Sequence, residues 1–109
     1  MTRTALGDLE HQVLLAVFRL KDEAYSVSVV LEIEARTGRE VAQAAVFIAL
    51  RRLESKGLVR SRLQEQRDEQ SHVRRYFAVT PAGVVMLREM RRVLKNLWQG
   101  ISADLEGVR

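Results

Sequence analysis

One stretch, residues 41–79, constrains the fold more than any other part of the chain. Gly57 is suited to end a helix, because a left-handed backbone there needs no Cβ atom. Two β-type runs follow, Leu58–Leu63 and Val73–Val79, joined by the polar segment Gln64–His72. Before the glycine, apolar residues recur at spacings of three and four, which places them on one buried helix face: Val46, Ala49, Leu50 and Leu53. The pattern predicts a helix followed by a two-stranded ribbon.

The other face of this helix is expected to be exposed, and it carries two arginines beside apolar residues. Its members are Ala44, Phe47, Ile48, Arg51, Arg52 and Ser55. Because a two-stranded ribbon is not stable alone, its apolar side must pack on helices. A helix followed by a ribbon with a charged tip, which here mixes both signs, is the outline of a winged helix-turn-helix DNA-binding domain.

Two helices are predicted before this stretch. The first begins near Asp8 and has one apolar stripe: Leu9, Val13, Ala16, Val17 and Leu20. The second is expected to have Ser26 as its N-cap and to end at Thr37-Gly38. Its predicted apolar face contains Val27, Val30 and Leu31, widened by Val29 and Ile33. Two helices joined by about four residues that include a glycine match helix-turn-helix spacing.

The last helix has the clearest start signal, Thr80-Pro81, an N-cap followed by a proline at the first helical position. We expect it to run to about Leu105. An a/d-type seam lies along it: Leu87, Met90, Leu94, Leu97 and Ile101. This seam either packs on the first helix or meets its own copy across a two-fold axis, and we favour the second interpretation.

The expected fold class is therefore mainly α with a small β-ribbon (α+β), a winged helix-turn-helix with a long C-terminal dimerisation helix. Residues 1–79 would form the DNA-binding domain and residues 80–109 the dimerisation helix, together one compact unit. At 109 residues, the chain is the size of a single domain.

Composition narrows the classes of function. The chain has no cysteine, which excludes disulfides and thiolate metal sites. With two separated histidines and no glycine-rich phosphate loop, no catalytic or metal-binding constellation can be assembled, so we expect neither an enzyme nor a cofactor. The longest apolar run, Val13–Phe18, is too short to cross a bilayer, and no signal peptide is recognisable. A cytoplasmic protein that does not bind a membrane is expected.

The net positive charge of the chain is concentrated at its centre. Residues 42–80 carry eight Lys or Arg and four Asp or Glu, a net +4 that equals the net charge of the whole chain. Residues 1–41 are net negative, with five basic and seven acidic residues. This asymmetry favours an anionic partner for the central stretch.

The residues resemble those of the PadR family of bacterial transcriptional repressors. The matching segments follow one another in family order over residues 6–83: LGDLEHQVLLAVFRL, AYSVSVVLEIEARTG, AVFIALRRLESKGLVRS and VRRYFAVTPAG. The resemblance implies a homodimer built by the C-terminal helix, which represses transcription at a palindromic operator and is in some cases released by a small aromatic or cationic effector. Departures from the family pattern are Phe47 in place of Tyr, Ser26 in place of Gly, and Gln70-Ser71-His72 in place of a Gly-Gly-Arg run.

Candidate contacts to double-stranded DNA lie on the third helix and on the ribbon. Gln43 near the helix start is the best candidate for a base contact, because the N-terminal residues of a recognition helix enter the groove. Phe47 and Ile48 either meet thymine methyl groups or pack on a neighbouring element. Arg51 and Arg52 either touch phosphates or a guanine edge, or belong to a solvated face paired with Glu54 or Ser55. The predicted phosphate contacts on the ribbon are Arg67, Arg74 and Arg75. Ala44 and His72 complete the predicted DNA-binding set. Arg74 and Arg75 point to opposite sides of the strand, so at most one of them is expected to be fully exposed.

Two alternatives stay open. Trp98, next to the seam, either anchors the dimer or contacts a flat effector. The apolar residues on the exposed face of the third helix also fit a winged-helix module that binds another protein without binding specific DNA. His11 is expected to be structural, and His72 is either solvated or sensitive to pH.

Overall fold

The structure is a computed structural model that describes residues 6–66 and 72–108. Within these residues the chain forms five α-helices and one two-stranded antiparallel sheet, in the order of a winged helix-turn-helix. The fold class predicted from the sequence is confirmed. The elements are α1 (Asp8–Leu20), α2 (Ser26–Thr37), α3 (Gln43–Ser55), β1 (Val59–Glu65), β2 (Val73–Val79), α4 (Pro81–Trp98) and α5 (Ser102–Glu106), with a short 3-10 turn at Lys21–Glu23.

The core lies between α1, α2, α3 and the ribbon. All four apolar residues predicted for the buried face of α3 are buried. On α1, Val13, Ala16 and Val17 are buried as expected, and Leu14 joins them. The predicted face of α2 is confirmed only in part, because Val29 and Ile33 are buried and Val30 is half-buried, whereas Val27 and Leu31 are exposed. Apolar residues cover two adjacent stripes of α2, so periodicity alone could not determine which stripe the neighbouring helices would cover.

The start of α2 also differs from the prediction. Tyr25, not Ser26, precedes the helix with extended backbone angles. The hydroxyl of Ser28 accepts a hydrogen bond from the backbone N–H of Tyr25 at 2.9 Å and lies 2.7 Å from the carbonyl oxygen of Glu23. The cap is therefore supplied from inside the first turn, which places Ser26 at the first helical position.

Two glycines end helices as the sequence predicts. Gly38 follows α2 with φ of +70° and Gly57 follows α3 with φ of +75°. Both values lie in the left-handed region, where a side chain is disfavoured. These turns set the angle between α2 and α3 and bring the chain from α3 into β1.

The strands pair in a regular antiparallel register, from Val59 opposite Val79 to Glu65 opposite Val73. β1 starts one residue later and ends two residues later than predicted, and β2 has the predicted bounds. The backbone N–H of Phe77 also donates to the carbonyl oxygen of Ala24 at 2.8 Å. The edge of β2 is thereby attached to the segment that leads into α2.

A compact joint connects the ribbon to α4. The hydroxyl of Thr80 accepts from the N–H of Gly83 at 3.1 Å and donates to the carbonyl oxygen of Gly57 at 2.6 Å. The Thr80 N–H donates to the carbonyl oxygen of Leu58 at 3.0 Å. A Cβ atom on Gly83 would lie only 2.2 Å from that same oxygen, so glycine is required at this position. The predicted Thr80-Pro81 helix start is confirmed.

α4 ends at Trp98, earlier than predicted. Gly100 has φ of +82°, and the chain turns there before the short helix α5. Ile101 lies in this turn, so the expectation that it continues the seam of one long helix is wrong. The turn also means that Leu105 belongs to a separate element. Among the described residues, no helix has the length and apolar character needed to cross a membrane.

Candidate nucleic-acid interface

The outer face of α3 is exposed, as the helical pattern predicts. Phe47 and Ile48 are 43% and 51% exposed. Ala44, Arg51 and Arg52 are exposed on the same helix. Two large apolar side chains are therefore presented to solvent between cationic ones, a combination suited to a groove that offers both methyl groups and phosphates.

Gln43, at the first position of α3, is held against the start of α2. Its side-chain N–H donates to the hydroxyl of Ser26 at 3.3 Å. A second hydrogen bond stabilises the turn between α2 and α3, in which a carboxylate oxygen of Glu34 accepts from the N–H of Val41 at 3.0 Å. These bonds fix the orientation of α3 relative to α2, so the exposed face of α3 has a defined direction.

A depression of about 320 Å³ lies between α3 and the first half of β2, the part of the strand that follows the ribbon tip. Four predicted DNA contacts line it, namely Phe47, His72, Arg74 and Arg75. Residues that were not predicted complete its wall: Tyr25, Ser26, Val27, Val73 and Phe77. The structure thus brings the recognition helix and the second strand together on one concave, basic surface. Arg67 lies outside the described residues.

Arg74 and Arg75 are both half-buried, which agrees with the expectation that at most one would be fully exposed. The guanidinium carbon of Arg74 lies 4.0 Å from the ring centroid of Tyr25. Arg75 donates to the hydroxyl of Ser61 at 2.8 Å, across the ribbon. Intramolecular contacts therefore hold both side chains at the end of the ribbon that lies next to its tip.

A carboxylate on α3 links the helix to the ribbon. One oxygen of Glu54 accepts from both the N–H and the hydroxyl of Ser61, and the other lies 3.9 Å from Arg51. Through Ser61, the same network reaches Arg75. Two predicted phosphate contacts on different elements are thus connected through one acidic side chain.

Sequence reasoning missed the aromatic and cationic residues that surround Arg74. The guanidinium of Arg62 on β1 lies 4.9 Å from the ring centroid of Tyr76, its cross-strand partner. Tyr76 in turn contacts Tyr25, with ring centroids 5.5 Å apart. The alternation of Arg60 and Arg62 along β1 was a usable signal for a basic strand face, whereas the contact with Tyr25 depends on tertiary packing.

A second surface lies on the other helices. A groove of about 670 Å³ runs between α1 and α4 and is mostly apolar. Among the predicted dimerisation residues, Leu87, Leu94 and Trp98 line it, while Met90, Leu97 and Ile101 do not. Leu97 is 67% exposed and Ile101 is also exposed. The sequence analysis missed Leu15 and Phe18, which are exposed apolar residues on the α1 side of the groove.

His11 also lines this groove and is half-buried. Burial lowers its pKa below the ordinary value of 6.5, and the nearby Asp8 carboxylate opposes this with a smaller effect. Both follow from electrostatics, because burial disfavours the imidazolium ion and a carboxylate favours it. Among the described residues, no group of three or more His, Asp or Glu side chains could hold a metal ion.

Comparison with known protein families and solved structures identifies the family of this chain. The family model described as "Transcriptional regulator PadR-like family" matches residues 14–89, from the middle of α1 to the middle of α4. This chain belongs to the PadR-like family. The resemblance seen in the sequence is confirmed, and with it the general function of a DNA-binding transcriptional regulator. PadR-family regulators are generally non-enzymatic DNA-binding proteins. No curated protein matches the sequence.

Solved structures of PadR-family regulators share the fold. A regulator from Clostridium difficile is 19% identical, with a TM-score of 0.76 over 91% of this chain and 99% of that chain. A PadR-like regulator from Bacillus cereus is 17% identical, with a TM-score of 0.73 over 92% and 93% of the two chains. A PadR regulator from Eggerthella lenta is 29% identical, with a TM-score of 0.67 over 88% and 82%. The helices and the ribbon of this chain are thus those of PadR regulators over nearly their full length.

Proposed function

We propose that this PadR-family regulator is a cytoplasmic, homodimeric repressor that binds a palindromic operator. The observation that carries the proposal is the single basic surface on which the exposed face of α3 adjoins Arg74 and Arg75 of β2. Each subunit presents α3 to a major groove and the ribbon to the adjacent backbone. Two half-sites then lie one helical turn, or a multiple of one, apart.

Roles on this surface follow from side-chain chemistry. Gln43, Ala44, Phe47 and Ile48 face the base edges, where an amide can hydrogen-bond and apolar atoms can meet thymine methyl groups. The cationic groups contact phosphates and fix the register of the protein on the duplex: Arg51, Arg52, Arg67, His72, Arg74 and Arg75.

Dimerisation is supported by the groove between α1 and α4. The second half of α4 presents Leu94 and Trp98 to this groove and Leu97 to solvent, and Leu15 and Phe18 continue the apolar surface on α1. The same helix of a second copy would cover these side chains. Residues 1–79 then form the DNA-binding part and residues 80–109 the dimerising part, with Met90, Leu97 and Ile101 at the edge of the interface.

An effector, where one acts, is a small aromatic molecule that stacks on Trp98. Trp98 is 49% exposed in the single chain and lies at the wall of the groove, so in the proposed dimer a flat ring would stack on its face between the two copies. Binding there would change the angle between the two DNA-binding surfaces through α4. Linkage requires that such an effector bind with different affinity to the free protein and to the DNA complex, and equal affinities would exclude this role.

The test is a titration of the promoter region of the protein's own operon, beside a scrambled duplex, at about 50 mM and about 200 mM salt. We expect higher affinity for the promoter and a steep loss with salt, with a slope of about −5 for about six phosphate contacts. Arg51→Ala should reduce that slope, whereas Arg36→Ala, a control at an exposed arginine of α2 that pairs with Glu32, should not.

A second function is favoured by one observation, the exposure of Phe47 and Ile48 on α3. A module that binds another protein would use this apolar face. Equal, weak binding of both duplexes at low salt would contradict the repressor and would direct the search to a protein partner of α3.

A further inference from the structure

Four side chains form a continuous stack between the middle of the ribbon and its tip, here named the wing column: Arg62, Tyr76, Tyr25 and Arg74. The two rings meet edge to face, with their planes at 65° and their centroids 5.5 Å apart. Each ring also carries a guanidinium, that of Arg62 at 4.9 Å and that of Arg74 at 4.0 Å from the respective centroid. The column thus joins both strands to the residue that precedes α2.

The column is suited to hold Arg74 in one orientation. Tyr76 is buried and Tyr25 is half-buried, so neither ring is free to move far. Nη1 of Arg74 lies 3.3 Å from the hydroxyl of Tyr76, which fixes the guanidinium at a second point. Stacking occupies a face of the guanidinium, and the N–H groups of an arginine lie in the guanidinium plane, the geometry in which arginine binds phosphate.

Ordering of a long side chain opposes binding, because rotamer freedom is lost when the contact forms. An arginine whose guanidinium is already stacked loses less rotamer freedom when it binds DNA. Arg74, moreover, lines the depression that also contains Phe47 of α3, so its orientation determines where a phosphate sits relative to the recognition helix.

We propose that Tyr25 is a positioning residue for DNA binding, which acts through Arg74. It holds the guanidinium against the start of α2 so that one phosphate next to the half-site meets it in a fixed place. This inference rests on the proposed function, since it assigns a role within the same DNA surface. Tyr25 is outside the helix-turn-helix face and no sequence signal assigned it to DNA binding.

The experiment compares Tyr25→Leu, Tyr25→Phe, Arg74→Ala and the double variant Tyr25→Leu/Arg74→Ala in promoter titrations at several salt concentrations. Tyr25→Leu keeps apolar volume but removes the ring face. We expect this variant to bind the promoter about fivefold to tenfold more weakly than the wild type. Its salt slope should be smaller by about 2, because a dimer would lose one phosphate contact in each subunit. Tyr25→Phe keeps the ring and should bind as the wild type does. The double variant should bind no more weakly than Arg74→Ala alone, because the tyrosine acts through the arginine.

A measurement without DNA checks the contact itself. The Nε–H resonance of Arg74 should be shifted by the ring current of Tyr25 in the wild type and in Tyr25→Phe, and the shift should be lost in Tyr25→Leu. Melting temperatures of all variants, with Leu31→Ala as an exposed control on α2, separate loss of binding from loss of folding.

The outcomes separate the two proposals. Equal weak binding of promoter and scrambled duplex by the wild type overturns the repressor function. Promoter-specific binding that is the same in the wild type and Tyr25→Leu overturns only the role of Tyr25. Additive losses in the double variant, or a loss in Tyr25→Phe, also overturn it, since Tyr25 would then act on its own or through its hydroxyl.

Discussion

Glu54 on α3 accepts two hydrogen bonds from Ser61 on β1, one from the backbone N–H at 3.1 Å and one from the hydroxyl at 2.6 Å. The pair attaches α3 to the ribbon near the helix end, because Ser55 is the last helical residue and the turn at Gly57 follows two residues later. Because Arg75 donates to the same Ser61, a helix residue determines the place of a cation on the other strand.

Replacement of this carboxylate should weaken the fold. We expect Glu54→Ala to lower the free energy of unfolding by about 1–2 kcal/mol, because the half-buried N–H of Ser61 loses its acceptor. Urea denaturation measures the change. Glu40→Ala, at an exposed position in the turn before α3, is the control and should change stability little. Equal effects of the two substitutions would show that the bonds to Ser61 contribute nothing.

Gly83 should tolerate no side chain. A Cβ atom there would lie 2.2 Å from the carbonyl oxygen of Leu58 and 2.6 Å from a methyl carbon of Val79, so Gly83→Ala must move α4 away from the ribbon. We expect a loss of about 3 kcal/mol in thermal or urea unfolding. Gly107→Ala, whose nearest atom is at 3.6 Å, should cost far less. A Gly83→Ala protein as stable as the wild type would contradict the close approach.

Lys21 has a strained backbone, and its replacement by glycine should stabilise the protein. Its φ of +53° and ψ of −117° suit glycine and disfavour any residue with a Cβ atom. We expect Lys21→Gly to raise the free energy of unfolding by about 1 kcal/mol. Lys21→Ala keeps the Cβ atom and is the matched control, with no gain expected. A gain of the same size in both variants would mean that the lysine side chain, and not the backbone, is responsible.

His11 should make stability depend on pH. Burial lowers its pKa in the folded protein, so the unfolded chain binds more protons between that lowered pKa and 6.5. The free energy of unfolding should therefore fall as the pH decreases through this window. Urea denaturation at about pH 7.5 and about pH 5.5 measures the difference between the wild type and His11→Gln. The variant should lose less stability on acidification, and an identical loss would contradict the assignment.

Leu94 should be required for the proposed dimer. It is 44% exposed and lines the groove, so Leu94→Asp would place a charge in the interface and should give a monomer in sedimentation experiments. Val85 is the control, since it is also exposed on α4 but nine residues away, on the opposite side of the helix. Val85→Asp should remain dimeric. Dissociation by both substitutions, or by neither, would contradict this interface.

Local signals predicted the elements well. The helix stops at Gly38 and Gly57, the start at Thr80-Pro81 and the buried face of α3 depend on residues close in sequence, and all were found where expected. The predictions that failed concern features for which the local sequence allows more than one arrangement and contacts elsewhere in the fold determine which one forms. The buried stripe of α2 and the cap at Ser28 depend on neighbouring segments, and the end of α4 depends on the left-handed backbone of Gly100.

The site could be predicted only in part, for a related reason. Arg74 and Arg75 were identified from charge and strand position, and the structure brings them beside Phe47. Tyr25 could not be identified, because its contact with Arg74 joins residues nearly fifty positions apart. Ser61 and Glu54 are only seven positions apart in the sequence, yet their hydrogen bond depends on the direction in which the chain continues after Gly57.

The joint at Thr80 makes α4 a rigid lever. The hydroxyl of Thr80 donates to the carbonyl oxygen of Gly57, just past α3, and Gly83 lies against the carbonyl oxygen of Leu58. Because of these two contacts, α4 cannot rotate about its first turn without moving α3. A helix of 18 residues is about 27 Å long. A displacement of about 5 Å at its far end therefore corresponds to a rotation of about 10° of α4 and the winged domain together. In the proposed dimer, small changes in the way the two α4 helices cross would thus reposition α3 on the DNA without any change within the winged domain.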